Sequence, residues 1–188
     1  MGRYNGRTDE PLSEEGFRQA ENVGVLPRVT QVYVSPMLRA RQTALVCFPN
    51  AKQIVIPDLR EMDFGDFEGR TADDMVGDKA YRAWVDGYCE GVCPNGESKA
   101  ILKERTSTAF SNIVCAARNA GEKNLYIVGH GGTVMSIMSV FVKEPNDYYD
   151  WYTKNCWGWQ AELDDQVWPQ LRLINYRVFE RLRYEEEL

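Results

Sequence analysis

The chain predicts an α/β fold in three layers, with a mostly parallel central sheet flanked by helices, forming one domain over residues 1–188. Three observations carry this. Short apolar runs that read as buried strands alternate with stretches of helical spacing, the pattern of parallel-sheet folds. No internal repeat, low-complexity stretch or linker divides the 188 residues, a length suited to one domain with a sizeable core. Ser35, Arg39 and His130 each fall just past a predicted strand end, where such folds place their ligands.

The elements follow in order. Val29 to Val34 reads as a short buried strand, with Val29, Val32, Tyr33 and Val34 as its apolar members. A helix starts next, with Ser35 as N-cap, Pro36 at the first helical position, and Met37, Ala40, Ala44 and Phe48 on one face. Gln53 to Ile56 is a second short strand. Thr71 to Tyr88 carries helical spacing at Met75, Ala80, Trp84 and Tyr88. A longer helix runs from Ser98 to Ala120 and stops at Gly121. Asn124 to Val128 is another buried strand, followed by a helix from Thr133 through Val140. Trp157 to Leu163 and Leu171 to Phe179 alternate as strands do, and Tyr184 to Leu188 reads as a solvated tail.

Composition narrows the function. The 44% hydrophobic and 27% charged content is that of an ordinary globular protein, and no apolar run reaches membrane-spanning length. With no signal-peptide pattern at Met1 to Asn5, a cytoplasmic address is expected. The net charge of −6 argues against nucleic acid as a partner but leaves room for a phosphorylated substrate held by a few arginines. The five cysteines, at 47, 89, 93, 115 and 156, make no zinc-ligand pattern and are expected to be reduced thiols. No metal and no cofactor is expected.

Four segments carry candidate chemistry. In Ser35 to Ala44, Arg39 lies in the opening turn of its helix, where unpaired N–H groups favour anions and a guanidinium can grip phosphate in bidentate fashion. In Leu59 to Gly69, Glu61 sits among apolar and glycine residues. A carboxyl beside a phosphate site is pushed up in pKa and can protonate a leaving alkoxide. Asp63, Asp66 and Glu68 compete for that role. Pro94-Asn95-Gly96-Glu97-Ser98 turns the chain into the long helix, with Glu97 or Ser98 at its N-cap. In Gly129-His130-Gly131-Gly132, the glycines let backbone amides approach an anion next to His130.

Together these segments resemble the histidine phosphatase superfamily (phosphoglycerate-mutase-like), from Gly2 to about Leu163. Gly2 to Gly16 looks like the family's first active-site loop and the start of its first helix, which makes Asn5 and Gly6 substrate-binding by resemblance. Ser35 to Ala44 is similar to the segment with the second phosphate-binding arginine, Arg39 here. The resemblance puts the proton donor at Glu61, the second active-site histidine at His130 and phosphate contacts at His130 and Gly131. Asn155-Cys156 is similar to residues that open a late strand.

The chain departs from the family at one point. The family opens on a strand ending in Arg-His-Gly, whose histidine becomes phosphorylated, whereas this chain has one histidine, His130. The resemblance therefore implies an α/β sheet whose first strand is missing, through truncation rather than evolved loss. The short stretch between Glu61 and Glu97 resembles the compact phosphatase branch, of the α-ribazole phosphatase kind. The expected function is hydrolysis of a small phosphorylated metabolite through a phosphohistidine in a full-length form, with this chain inactive or impaired. Phosphoglycerate mutase is one alternative. The other is a non-catalytic binding or assembly protein, with homo-oligomers formed by strand exchange at the open edge. Trp84, Tyr88, Tyr148, Tyr149, Trp151 and Tyr152 are candidates for lining the substrate pocket.

Overall fold

The computed structural model describes residues 2–144 and 146–183. The predicted tail, 184–188, lies outside them. In chain order the elements are α1 (Glu14–Val23), β1 (Gln31–Val34), α2 (Leu38–Cys47), β2 (Lys52–Val55), α3 (Lys79–Asp86), α4 (Lys99–Asn119), β3 (Ile127–Val128), α5 (Gly131–Phe141), β4 (Gly158–Leu163) and β5 (Leu173–Phe179). The α/β architecture is as the sequence predicts. A small parallel sheet in the order β2-β1-β3 is flanked by helices, and β4 and β5 form a separate antiparallel pair.

β1 forms because Val32, Tyr33 and Val34 bury their side chains while their backbones pair on both sides, with Gln31 opposite Lys52 and Tyr33 opposite Ile127. The last pairing puts Ser35 next to Val128, whose carbonyl accepts the Ser35 N–H at 2.9 Å. Two strand ends, and the residues just beyond them, are therefore locked side by side. α4 and α5 pack over the sheet through Phe110, Val114, Ile137 and Met138, with Trp151 and Leu173 closing that cluster. A second cluster, built on Met62, Phe67, Met75, Tyr81, Trp84 and Leu102, sits under the 61–69 segment and fixes its course.

Several boundaries differ from the sequence reading, each for a local reason. The helix expected over 71–88 is a short 3-10 turn at Asp73–Met75 followed by α3. The break comes at Gly77-Asp78, where the Asp78 carboxylate accepts the N–H groups of Ala80 and Tyr81 and starts a new helix. α2 begins at Leu38 with Met37 as its cap, so Pro36 lies outside it and Ser35 is not the N-cap. The strand expected over 124–128 shrinks to Ile127–Val128, which among the described residues pairs with β1 alone. α5 begins at Gly131, ahead of Thr133. Ser98 caps α4 as expected, accepting the Ile101 N–H at 3.2 Å.

β3 and β4 face one another across a gap. Among the described residues no strand pairs with the second edge of either. A cleft of about 1960 Å³ is lined by residues of both, among them Ile127, Val128, Trp159 and Ala161, together with Phe110 and Ile137. His130 opens onto the same cleft. Ile127 and Val128 are only half-buried, unusual for strand residues in the middle of an α/β domain.

Candidate active site

The site is assembled at the carboxyl ends of β1 and β3. His130 caps the start of α5 in an extended conformation, placing its ring where β3 ends and the N-terminus of α5 begins. Its Nε2 lies 2.7 Å from the hydroxyl of Ser35, which follows β1. Burial, reinforced by the positive charges of Arg39 and Arg105, pushes the imidazole down to about 3, so the ring is neutral.

Glu61 reaches the same place from the 61–69 segment. One carboxylate oxygen accepts the Gly132 N–H of α5 at 2.9 Å, and the other accepts the Met62 N–H at 2.8 Å. Burial raises its pKa, and the two N–H groups with Arg39 and Arg105 only partly oppose that. Gly132 has to be glycine here: a Cβ would meet the Glu61 Oε1 at 2.2 Å.

Arg39, in the first turn of α2, is charged and close enough to Glu61 to interact with it. Its two terminal nitrogens already donate to backbone carbonyls of the first loop: to Thr8 at 2.7 Å, and to Asn5 and Gly6 at 3.0 Å. The guanidinium thus clamps the loop that the resemblance had assigned to substrate. The Asn5 side-chain oxygen is buried with no hydrogen-bond partner among the described residues. Gly6 lies tight under Met62, whose carbonyl would stand 1.7 Å from an added Cβ.

The rival carboxylates have other work. Glu68 gathers the loop, accepting the N–H groups of Gly6, Arg7, Thr8 and Phe64 and the Thr8 hydroxyl. Burial works against its charge, but these donors outweigh it and hold the pKa below the usual range. Asp63 accepts the Gly65 N–H, and Asp66 accepts from the Asn95 amide. Among the described residues none of the three hydrogen-bonds to His130 or to α5.

Arg105 escaped the sequence reading because a charged residue in mid-helix looks solvated. Its side chain is only 10% exposed. It grips the Glu97 carboxylate at 2.7 Å and the carbonyls of Asp58, Arg60 and Glu61 at 2.8–2.9 Å, and so holds the backbone that aims Glu61. Ser35 was read as a helix cap and as one of three residues just past a strand end, but not as the partner of His130. Of the aromatic candidates, Trp84 and Trp151 are core residues, while Tyr88 and Tyr152 are exposed. Tyr148 donates its hydroxyl to the Gly132 carbonyl at 3.2 Å, and Tyr152 lines the cleft onto which His130 opens.

All five cysteines are free thiols, Cys47 and Cys93 buried and Cys115 exposed. Among the described residues no group of three or more His, Cys, Asp or Glu is placed to hold a metal ion, and no helix is long and apolar enough to cross a membrane. What the site holds is a neutral imidazole, a carboxyl raised in pKa and an arginine at the start of a helix. That set can bind a phosphoryl group and protonate a leaving oxygen.

Comparison with known proteins gives the family. The family model described as "Histidine phosphatase superfamily (branch 1)" matches residues 1–177. An adenosylcobalamin/alpha-ribazole phosphatase of Escherichia coli (strain K12) is 27% identical over 185 residues, covering 94% of this chain and 89% of that protein. A protein named as probable phosphoglycerate mutase GpmB, from Klebsiella pneumoniae (strain 342), is 33% identical over 150 residues, covering 76% of this chain and 68% of its own length. The crystal structure of an alpha-ribazole phosphatase from Shigella flexneri superposes with a TM-score of 0.78 at 24% identity, covering 98% of this chain and 92% of that one. A mycobacterial glucosyl-3-phosphoglycerate phosphatase solved with inorganic phosphate gives a TM-score of 0.74 at 22% identity, covering 94% and 89%. The chain belongs to the histidine phosphatase superfamily, branch 1.

Proposed function

We propose that this site acts on phosphomonoesters of small metabolites, of the kind named for the alpha-ribazole phosphatase relatives. The observation that carries the reading is Glu61: a carboxyl raised in pKa, hydrogen-bonded to the N-terminal turn of α5 beside His130, and within electrostatic reach of Arg39. The phosphoryl group sits at the start of α5, where amide N–H groups favour anions. There His130 and Gly131 donate to it, and Arg39 exchanges loop carbonyls for phosphate oxygens. Glu61 protonates the departing alkoxide, a role that its raised pKa favours. Asn5 and Gly6 border the substrate through the loop that Arg39 holds.

Nucleophilic attack is the weak step. By family resemblance the attacking group is a histidine in an Arg-His-Gly segment, and the only histidine here is His130. The chain on its own therefore binds phosphate and turns over little. The test compares hydrolysis of p-nitrophenyl phosphate and of a phosphomonoester panel, including α-ribazole phosphate and the phosphoglycerates. The chain is assayed alone and with a peptide carrying an apolar strand followed by Arg-His-Gly. Slow turnover alone and faster turnover with the peptide is the expected result. Rapid hydrolysis by the chain alone, lost in His130→Ala, overturns the nucleophile argument. Dominant transfer between phosphoglycerates moves the reading to a mutase.

The cleft between β3 and β4 supports a second reading, in which the chain is a binding or assembly protein. Two strand edges left unpaired among the described residues, across a cleft of mixed polarity, suit an added strand, including one exchanged with a second copy. Sedimentation of the isolated chain separates the two. A stable dimer that neither hydrolyses nor binds phosphate favours assembly, and a monomer that binds phosphate favours the enzyme site.

A further inference from the structure

The buried hydroxyl of Ser35 and the part-buried ring of His130 form a pair whose hydrogen-bond directions can be worked out. Ser35 is 0% exposed, so its O–H proton has to be satisfied within the protein. Its Oγ accepts the Met37 N–H at 3.3 Å. Among the described residues the only other polar atom recorded against it is the His130 Nε2, at 2.7 Å. If Nε2 carried a hydrogen, Oγ would accept twice and the hydroxyl proton would be buried without an acceptor, at a cost of about 1–3 kcal/mol. If Nε2 is bare, the hydroxyl proton has its acceptor there.

We propose that Ser35 is a positioning residue that holds His130 as the neutral tautomer with its proton on Nδ1. The depressed basicity of the ring agrees, because a neutral imidazole carries one proton for two nitrogens. In this state the Nε2 lone pair is engaged by Ser35, and the ring's only N–H is at Nδ1. His130 then serves as a hydrogen-bond donor to an anion and is poorly placed to act as nucleophile or base. The inference also accounts for Ser35 sitting outside α2 instead of capping it: its hydroxyl proton is directed at His130 and its backbone N–H at Val128. The tautomer does not depend on the phosphomonoesterase reading; the role of Nδ1–H as a phosphate donor does rest on it.

Because the chain has one histidine, a two-bond 1H–15N correlation spectrum of 15N-labelled protein in phosphate-free buffer reports this ring alone. The nitrogen correlated with both ring C–H protons is Nε2, and it is expected to be of the unprotonated type, with Nδ1 protonated. A protonated Nε2, or an average of the two tautomers, overturns the proposal. Ser35→Ala should shift the ring toward Nε2–H or toward averaging, and Ser35→Thr, which keeps the hydroxyl, should restore Nδ1–H. A Ser35→Ala ring that stays fully Nδ1–H overturns the role of Ser35. Should Ser35→Ala not fold, the wild-type and Ser35→Thr spectra still decide the tautomer. Titration with inorganic phosphate should then move Nδ1 to saturation, with affinity about fivefold weaker in Ser35→Ala, the effect of one hydrogen bond. If phosphate moves neither nitrogen in the wild type, the phosphomonoesterase reading falls while the tautomer stands.

Discussion

The two glycines after His130 should respond in opposite directions to the same substitution. Gly131 and Gly132 are the first two residues of α5, and replacing a helical glycine with alanine ordinarily stabilises by up to about 1 kcal/mol. At Gly131 an added Cβ meets nothing within 4 Å, so Gly131→Ala should gain a few tenths of a kcal/mol, the smaller share being due at a helix end. At Gly132 the same atom would stand 2.2 Å from the Glu61 Oε1, 3.1 Å from its carboxyl carbon and 2.9 Å from Leu102 Cδ2. Leu102 is buried and has little room to yield, so the Glu61 carboxyl has to leave. It then gives up the 2.9 Å bond from the Gly132 N–H. A hydrogen bond to a charged or partly charged buried carboxyl contributes about 1.5–3 kcal/mol. Subtracting the propensity gain leaves Gly132→Ala destabilised by roughly 1–2 kcal/mol, a Tm lower by about 2–8 °C for a chain of this size. Urea unfolding followed by tryptophan fluorescence, with m unchanged, measures both variants. Adding Glu61→Ala should remove most of the Gly132→Ala penalty, since the clashing group is gone. If both glycine substitutions stabilise alike, Glu61 does not occupy the position described.

Three further outcomes follow from the same geometry. His130 binds its proton more weakly folded (about 3) than unfolded (6.5), so the unfolded state takes up the extra proton between those values. Its contribution is complete above pH 6.5 and falls as pH drops, by about 1–2 kcal/mol at pH 5, and an isosteric His130→Asn variant should lose that share of the pH dependence; an unchanged slope refutes the assignment. Arg105→Ala leaves the Glu97 carboxylate without its main partner at a site 10% and 12% exposed, so urea unfolding should show a loss of about 3–5 kcal/mol, and a loss under 1 kcal/mol would contradict the network. Glu68, held low in pKa by loop N–H groups, contributes stability that is present above its ordinary 4.5 and lost as pH falls through its folded value; Glu68→Gln should speed hydrogen exchange at Gly6, Arg7 and Thr8 while sparing β1.

The sequence by itself settled what depends on neighbours in the chain. Val32 to Val34 is a strand because its side chains are apolar and β-branched or aromatic, and the 98–120 segment is a helix from its spacing and its Ser98 cap. Glu61 could be preferred over its rivals only by resemblance, because four carboxylates within eight residues look alike to local reasoning. Tertiary structure decided among them. Glu61 meets the N-terminus of α5, and Glu68 is turned back onto the first loop.

Two other outcomes were set by contacts between distant segments. Helix starts moved where a side chain had a better partner elsewhere, as Ser35 did at His130, a residue 95 positions away. Arg105 could not be recognised from sequence, because its importance lies in the backbone carbonyls of a segment more than 40 residues away. An open sheet edge was expected from the resemblance, but that β3 and β4 are the strands left with an unpaired edge among the described residues was decided by the pairings of the folded chain.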